Sequence, residues 1–319
     1  MGILRGRPHP IAVSPNGRTI ARHDLTTDDL LGGLRGADRP IRGLPPEVEH
    51  ASGGPLLHDP ATETIIVVYH GETFHGGDPM IFWSFLGMAV STDHAETFTD
   101  LGPIITAPGP THADAERGIV EVGGGGFVLR EGWMQVYSGD RGTAEVRTQL
   151  GVARCRVDAV LESAARGAAP VFEKYLDGAW GSPGLGGEMT DLLASNEHRA
   201  MWFDAALLET TGQTLIVFST VGLTAEEGWG WTHMGCVSHD GIEFDEPQQL
   251  YPAVDDAQLL YLSLDAPGSS QRCIAADWFH LYRVRSTTAF RWDDACLERV
   301  TVHIEMGATP ADQATRRHR

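Results

Sequence analysis

Basic residues are scarce in this sequence, and lysine is almost absent. Among 319 residues, Asp and Glu number 43 against 24 Lys and Arg, and Lys174 is the one lysine. The formal net charge is −19 at pH 7. Because a surface of this sign repels phosphate groups, we expect neither nucleic acid nor an anionic membrane surface among the partners.

Long apolar runs and paired cysteines are missing as well. No stretch of about 18 apolar residues occurs, which argues against a membrane-spanning helix. Arg5 and Arg7 are not followed by an apolar segment, so we expect no secretory signal. The four cysteines are scattered without a Cys-x-x-Cys pair, a pattern typical of free thiols rather than of a disulfide framework or a zinc site. These absences together predict a cytoplasmic location.

Helical periodicity is also rare. The one convincing amphipathic pattern covers residues 157–166. Elsewhere, short apolar runs alternate with turn signals, and the 38 glycines and 18 prolines are spread along the whole chain. Hydrophobic residues make up 42% of the sequence, which is enough for a full core. The pattern predicts an all-β protein.

The short apolar runs form five modules of similar length. The first two strands of each module fall at residues 11–14 and 19–23, 53–57 and 64–70, 126–129 and 133–138, 203–208 and 214–219, and 261–264 and 278–283. Repeated four-stranded units of this length are typical of β-propellers. We therefore predict a five-bladed β-propeller of four-stranded antiparallel blades over residues 1–310, with a flexible tail at 311–319. Residues 26–46 are weakly patterned and either complete the first blade or cap the funnel.

Two small signatures recur in register with these modules. A glycine interrupts the third strand of three modules, at Gly87, Gly151 and Gly235. A glycine inside a strand suggests close approach between neighbouring strands. Two of these strands lead into Ser-x-Asp turns at residues 91–93 and 238–240, where the Ser and Asp side chains can bond the backbone of their own turn.

The blade pattern resembles that of the five-bladed β-propeller glycoside hydrolases, namely the arabinanase and xylosidase-like family and its fructosidase relatives. The resemblance covers nearly the whole chain as architecture. It is carried by the modules, by the Tyr-His-Gly-Glu segment at 69–72, by the segment at 87–93, and by residues 172–178 with 184–187. The Ser-x-Asp turns are similar to the Asp-box turns of sialidases, which are propellers with more blades.

The resemblance implies an acidic residue near the start of the innermost strand in three successive blades. The first two matching strands, at 51–56 and 123–127, carry no carboxylate at that place. The third keeps an acid, Asp204, where the family has Glu. The resemblance therefore predicts the fold, whereas the carboxylate triad of the family does not transfer to this sequence.

Propeller geometry predicts where a site would lie. If each innermost strand begins at the ligand face, the connections between second and third strands lie on that face too. Polar residues at these places are expected around one funnel: His23, Asp24, Glu49, His50, His70, Glu72, His75, Glu116, Arg117, Ser138, Asp140, Arg141, Asp204, Arg283 and Arg285.

Such a ring of polar groups suits sugar chemistry. Glycoside hydrolysis needs one carboxyl kept protonated as an acid and a second one ionised as base or nucleophile, and burial can push the two pKa values apart. We predict Asp204 as one carboxyl, with Glu72, Asp140 or Glu49 as the other. The structural alternative is that Asp204 satisfies backbone groups in the central channel, and that the other acids pair with Arg side chains between blades.

Other polar and aromatic residues are candidates for holding the substrate. Guanidinium groups bind hydroxyls or an anionic group, and a Trp ring can stack on a sugar. The predicted binding residues are His23, Asp24, His50, His70, His75, Arg141, Trp202 and Arg283, with Trp83 as a further stacking candidate.

A metal site is the remaining candidate feature. His70, Glu72 and His75 form a His-x-Glu-x-x-His run, but the helical spacing that gives such a run its meaning in zinc enzymes is absent here. The sequence thus assigns no ligands for a metal. A divalent cation in the central channel is the one cofactor considered.

These observations favour a glycoside hydrolase-like enzyme acting on a small glycoside or oligosaccharide in the central funnel. Two alternatives stay open because a fold does not fix a function. One is a non-hydrolytic enzyme on the same scaffold, such as a cyclase, lyase or isomerase that acts on a small metabolite. The other is a non-catalytic propeller that binds sugar or protein.

Overall fold

Antiparallel β-strands make up most of the structure, a computed structural model. It describes residues 1–5, 10–25, 30–32, 36–108, 120–143, 146–193, 200–223, 229–251, 253–254, 257–266, 272–287 and 295–304. The strands form a five-bladed β-propeller, which confirms the predicted fold class. The predicted helix is present as α1 (Val157–Ala165). Within the described ranges, no helix is long and apolar enough to cross a membrane.

The first two blades are joined edge to edge into one eight-stranded sheet, through a short parallel pairing of Ile41 with Phe98. Blade 1 contains β1 (Gly2–Leu4), β2 (Ile11–Asn16), β3 (Thr19–Asp24) and β4 (Gly36–Arg42). Blade 2 contains β5 (His50–Asp59), β6 (Thr64–His75), β7 (Asp78–Ser91) and β8 (Phe98–Thr106).

The other three blades form separate sheets. Blade 3 contains β9 (Glu121–Arg130), β10 (Trp133–Thr143), β11 (Val146–Arg156), β12 (Glu173–Leu176) and the hairpin strand β13 (Ala179–Pro183). Blade 4 contains β14 (Met201–Leu208), β15 (Gln213–Leu223), β16 (Trp229–Ser238), β17 (Gln248–Gln249) and β19 (Cys273–Ile274). In the described part of blade 5 the strands are β18 (Gln258–Asp265), β20 (Trp278–Ser286) and β21 (Cys296–His303).

The strand order of blade 1 differs from the prediction. The innermost strand is β1, and the predicted first strand at 11–14 is the second. Three residues are too short to show an alternating apolar pattern, so the sequence does not reveal β1. Residues 36–42 complete the blade as its fourth strand, whereas residues 26–29 and 33–35 lie outside the described part.

Apolar side chains from neighbouring blades pack against each other around the propeller. Blades 2 and 3 share a large cluster, and further clusters lie between blades 1 and 2, 3 and 4, and 4 and 5. Blades 5 and 1 meet through Leu30 and Tyr282 and through an ion pair of 2.6 Å between Arg5 and Asp265. The ring of blades is therefore closed by contacts between its first and last members.

Each of the innermost strands β5, β9, β14 and β18 contains a β-bulge at the same place. One extra residue interrupts the register between Gly53 and Leu56, Gly124 and Phe127, Met201 and Asp204, and Leu260 and Ser263. A bulge bends its strand and redirects a side chain. The bulges thus define equivalent positions in four blades at the funnel.

The glycines that recur in the third strands leave space for the side chains of nearby residues, and not only for close approach of the backbone. A Cβ added to Gly87 would lie 2.6 Å from the Tyr69 hydroxyl, and one at Gly151 would lie 2.7 Å from Met189 Cγ. The Tyr69 hydroxyl donates a hydrogen bond of 2.7 Å to Asp100. A larger residue at these glycines would therefore displace a packed side chain.

We expect Gly87→Ala to destabilise the protein by about 1–3 kcal/mol, because the new methyl group overlaps the buried Tyr69 ring. Gly53→Ala is the matched control: its Cβ would meet Ile20 at an ordinary 3.5 Å. Urea unfolding of both variants measures the difference. Equal stability of the two variants would contradict the packing role of Gly87.

The two Ser-x-Asp turns bond their own backbone, as predicted. Ser91 accepts a hydrogen bond from Ala95 N at 2.9 Å, and Asp93 accepts one from Thr97 N at 2.9 Å. Although burial opposes it, hydrogen bonding from Thr97 and Ser91 lowers the pKa of Asp93 to about 2. Asp240 accepts hydrogen bonds from its own turn in the same way. These turns lie at the end of the propeller opposite to the start of the innermost strands.

Candidate functional site

Polar side chains of blade 2 converge at the end of the propeller where the innermost strands begin, which we call the mouth. His50 on β5 lies directly opposite Glu72 on β6, and Ser52 lies opposite His70. Alternation along each strand places all four side chains on one face of the blade. We call His50, Ser52, His70 and Glu72 the mouth cluster.

Short contacts link the members of the mouth cluster. His50 Nε2 lies 2.6 Å from Ser52 Oγ, and His70 Nδ1 lies 3.4 Å from Glu72 Oε1. His70 Nε2 is buried without a hydrogen-bond partner. The Glu72 side chain keeps 19% of its surface exposed, so a ligand in the funnel can reach it.

The electrostatics of the mouth cluster favour neutral forms. Burial, together with the nearby Glu121 carboxylate, raises the pKa of Glu72 to about 7. Burial and the neighbouring His50 lower the pKa of His70 to about 4, and burial lowers the pKa of His50 as well. Near neutral pH the cluster therefore holds two uncharged imidazoles and a carboxyl group that retains its proton in a large share of molecules.

Glu121 on β9 brings a second carboxylate to the mouth, and it is not among the residues predicted from the sequence. It stands three residues before the bulge of β9, the position that His50 takes in β5. Val122 N donates a hydrogen bond of 3.0 Å to Ser84, which lies opposite Glu72 on β7 and so ties the two blades together beside the carboxyl pair. Aligning β9 with β5 at their bulges would have revealed Glu121, because it then matches His50. The sequence alone does not show where the bulges lie.

Aromatic side chains from blades 4 and 5 reach the same funnel. Trp202 is at the start of β14, and Tyr261 is near the start of β18. Their ring centroids are 5.8 Å apart, and the Trp231 ring centroid lies 5.3 Å from that of Trp202. Burial, with Glu72 and then Glu121, raises the pKa of Tyr261 to about 12. The aromatic rings and the two carboxyl groups therefore belong to one site.

Glu49 and His75 also lie at the mouth, but outside the mouth cluster. Glu49 Oε2 accepts a hydrogen bond of 2.6 Å from Phe74 N, and Glu49 N donates to Glu72 O at 2.8 Å. The Glu49 carboxylate thus binds the backbone at the end of β6. His75 is the last residue of β6, and the pairing of β6 with β7 is irregular between Phe74 and His75, which separates His75 from the regular part of the strand that carries His70 and Glu72.

Asp204 lies deeper in the channel, where other groups of the chain occupy its oxygens. Arg272 donates to Oδ1, Leu264 N donates to Oδ2 at 2.9 Å, and Ala205 N donates to Oδ1 at 2.9 Å. The Asp204 and Arg272 side chains are 7% and 4% exposed. The structure therefore places Asp204 in a buried ion pair and not beside Glu72.

Asp140 is held by Lys174, the one lysine of the sequence, where blade 3 meets blade 2. Lys174 Nζ lies 3.6 Å from Asp140 Oδ2, and both side chains are buried. Lys174 also donates to Thr106 O at 2.7 Å and to Gly187 O at 2.5 Å. Burial raises the pKa of Asp140 to about 6, although Lys174 opposes this shift. Asp140 thus faces the outer strands of its blade, away from the pairing expected in the funnel.

His23 and Asp24 lie at the end of the propeller opposite to the mouth, contrary to our expectation. They end β3, the third strand of blade 1, because β1 shifts the strand order by one. Arg22 donates a hydrogen bond of 3.2 Å to His94 O in the turn after β7 and pairs with Asp24 at 2.8 Å. His23 is buried against Ser14 Oγ at 2.9 Å.

The remaining predicted residues divide between the blade interface and the undescribed part. Arg283 pairs with Glu298 at 2.9 Å and lies 5.0 Å from the Tyr251 ring centroid, between blades 4 and 5. Arg141 pairs with Glu121 in the strand register of β10 and β9, and its side chain is outside the described part. Glu116 and Arg117 also lie outside it.

Two candidates from the sequence are left: Trp83 as a stacking residue, and a divalent cation in the central channel. Trp83 packs against Phe85 at 5.3 Å, in the core between blades. Among the described residues, no group of three or more His, Cys, Asp or Glu side chains is arranged to hold a metal ion.

Comparison with known proteins identifies the fold. No protein-family model matches the sequence, and no curated protein matches it in sequence. Solved structures do match. The catalytic domain of the Coprinopsis cinerea GH62 alpha-L-arabinofuranosidase has a TM-score of 0.55 at 8% identity, covering 95% of this chain and 89% of that one. A thermostable family-43 glycoside hydrolase has a TM-score of 0.55 at 9% identity, covering 96% and 90%.

A third match contains a bound sugar. The Penicillium chrysogenum alpha-L-arabinanase complexed with arabinobiose has a TM-score of 0.52 at 11% identity, covering 90% of this chain and 77% of that one. Identities this low show the fold alone. The resemblance predicted from the blade pattern is thereby confirmed: the chain has the fold of the five-bladed β-propeller glycoside hydrolases.

Proposed function

We propose that the protein is a glycoside hydrolase that cleaves a small glycoside or oligosaccharide at its mouth. The observation that carries this proposal is the carboxyl pair formed by Glu72 and Glu121, in which burial and the second carboxylate raise the pKa of Glu72 to about 7. Two carboxyl groups with different protonation states are the chemical requirement for glycoside hydrolysis. The fold, shared with arabinanases and arabinofuranosidases, supports the same reaction class.

In this proposal Glu72 is the general acid. Its proton goes to the glycosidic oxygen as the bond to the anomeric carbon breaks, and the leaving alcohol departs neutral. Glu121, as the carboxylate, either deprotonates the attacking water or attacks the anomeric carbon itself. His70, 3.4 Å from Glu72 Oε1, holds that carboxyl in place without adding charge, because burial keeps its imidazole neutral.

A non-hydrolytic reaction is the second candidate, favoured by one observation. The mouth cluster contains two imidazoles that burial keeps neutral, and a neutral imidazole can accept a proton removed from carbon. A lyase or isomerase on this scaffold would use His50 or His70 as the base, whereas hydrolysis requires the carboxyl pair. Release of reducing sugar from a glycoside distinguishes the two.

The test is hydrolysis of a panel of nitrophenyl arabinofuranoside, xyloside, galactoside and fructoside, together with arabinobiose, across a range of pH. We expect cleavage that declines as pH rises through about 7, because Glu72 then loses the proton it must donate. The acid is active below its pKa, so the loss occurs on the alkaline side. No cleavage of any glycoside, with eliminated or isomerised sugar as product instead, would favour the second candidate.

Glu121→Gln gives a separate prediction for the residual activity. Removing the Glu121 charge removes one of the causes that raise the pKa of Glu72, so the alkaline limb of kcat/KM should move to lower pH. Glu131→Gln is the matched control, since its side chain is 82% exposed in a turn at the other end of blade 3. An alkaline limb that stays in place in Glu121→Gln would refute the coupling of the two carboxyl groups.

A further inference from the structure

The bulge positions of the four innermost strands divide the funnel into two unlike halves. Counting from each bulge, the residue in the extra position is Gly54 in blade 2, Gly125 in blade 3, Trp202 in blade 4 and Tyr261 in blade 5. One half therefore has no side chain at this position and is lined by the carboxyl pair. The other half carries two large rings at the equivalent places.

The two aromatic residues hold a backbone conformation that usually belongs to glycine. Trp202 has φ +42° and Tyr261 has φ +45°, both in the left-handed region, and Gly125 at the equivalent place has φ +101°. Bulky residues in this region are strained and persist where the surroundings impose it, often at functional sites. Glycine would relieve the strain at both positions, so the rings themselves must contribute something that glycine cannot.

We propose that Trp202 and Tyr261, backed by Trp231, form an aromatic wall that binds the flat apolar face of one neutral sugar ring and turns its glycosidic oxygen toward Glu72 and Glu121. The sugar identity of the ligand rests on the proposed function. The wall itself rests on the strained bulges and on the ring contacts, which are independent of catalysis.

The geometry of the rings suits a sugar better than an ammonium group. The Trp202 ring is tilted by 34° against Trp231 and by 48° against Tyr261, with centroids 5.3 Å and 5.8 Å apart. Rings this close leave no space for a cation between them, so a ligand meets their outer surface instead of entering a cage. Although its phenol group is desolvated, Tyr261 as a whole residue is 46% exposed, and this exposed part is accessible to a ligand. The opposing glycines provide the depth for a ring lying on that face.

The electrostatics of the mouth favour an uncharged ring. Both Glu72 and Glu121 act on the Tyr261 phenol, so a ligand resting on the wall lies in the field of both carboxyl groups. A sugar carboxylate placed there would meet like charge, and the net charge of −19 adds to the repulsion. A neutral glycoside avoids this cost.

Binding of methyl arabinofuranoside, methyl xyloside, methyl galactoside, arabinobiose and the charged methyl glucuronide, followed by tryptophan fluorescence and saturation-transfer NMR, tests the wall. The Glu72→Gln background prevents turnover. We expect Trp202→Gly and Tyr261→Gly to raise Kd about tenfold or more for whichever ligand binds, while Tyr261→Phe stays within about threefold. Trp133→Leu, at the opposite end of blade 3, is the matched control and should bind as the parent does.

Thermal unfolding separates binding from packing. Because glycine relieves the strained backbone, Trp202→Gly and Tyr261→Gly should unfold at a temperature equal to or above that of Trp202→Leu. Unchanged affinity in both glycine variants, no binding of any ligand to the parent, or tighter binding of methyl glucuronide than of the neutral sugars would overturn the proposal. Binding without hydrolysis by the wild type would overturn the proposed function and leave the wall intact.

Discussion

Glu72→Gln is expected to lower kcat/KM by about 10²–10⁴-fold on glycosides with poor leaving groups. The amide cannot donate the proton that the leaving alkoxide needs. On a dinitrophenyl glycoside, whose leaving group departs without protonation, the loss should be far smaller. The alkaline limb near pH 7 should also disappear from the residual activity, because the group responsible for it is gone. Steady-state kinetics on alkyl and dinitrophenyl glycosides of the same sugar measure both effects.

Two controls accompany this comparison. Glu131→Gln removes the same charge at an exposed turn and should match the wild type. His70→Gln tests the residue that positions Glu72: it should shift the alkaline limb and lower kcat modestly, with KM nearly unchanged. An equal loss for Glu72→Gln on alkyl and dinitrophenyl substrates would rule out Glu72 as the acid and would point to a structural effect.

The blade repeat could be predicted from the sequence because apolar alternation and turn residues are local properties. The exception is β1, which at three residues is too short to show an alternating apolar pattern. That one omission shifted the strand order of blade 1 and moved His23 and Asp24 from the mouth to the opposite end. Successive strands of a blade run in opposite directions along the propeller axis. An error of one strand in the count therefore places the end of a strand at the wrong end of the propeller.

The site could be predicted only in part. Glu72, His50 and His70 follow a recognisable strand end, and the structure brings them together. Glu121 was missed because the bulge that aligns it with His50 has no sequence signature beyond its glycines. Asp204 was placed in the catalytic pair because nothing nearby in the sequence reveals Arg272, 68 residues later, which folds back beneath the innermost strands to neutralise it.

The buried pair of Asp204 and Arg272 leads to the largest expected effect on stability. Arg272→Met is expected to destabilise the protein by about 3–5 kcal/mol, because it leaves a buried carboxylate without its counter-charge. The side chain also donates to Phe127 O at 3.1 Å and to Ala205 O, so its loss leaves acceptors of two neighbouring innermost strands unsatisfied. Arg166→Met, which breaks an exposed pair with Glu162, is the matched control and should change stability by no more than about 0.5 kcal/mol.

The double variant Asp204→Asn with Arg272→Met decides between a structural and a catalytic Asp204. If the carboxylate serves the ion pair, removing both charges should recover part of the stability lost in Arg272→Met, and the double-mutant cycle should show a coupling of more than about 1 kcal/mol. Asp204→Asn alone should then keep hydrolysis within a few-fold per folded molecule, since the acid–base chemistry belongs to Glu72 and Glu121. A loss comparable to that of Glu72→Gln, in a variant that unfolds at the wild-type urea concentration, would return Asp204 to the catalytic pair. It would also require the channel beneath the mouth to open to substrate, because in the present arrangement Arg272 and two backbone amides already occupy both carboxylate oxygens.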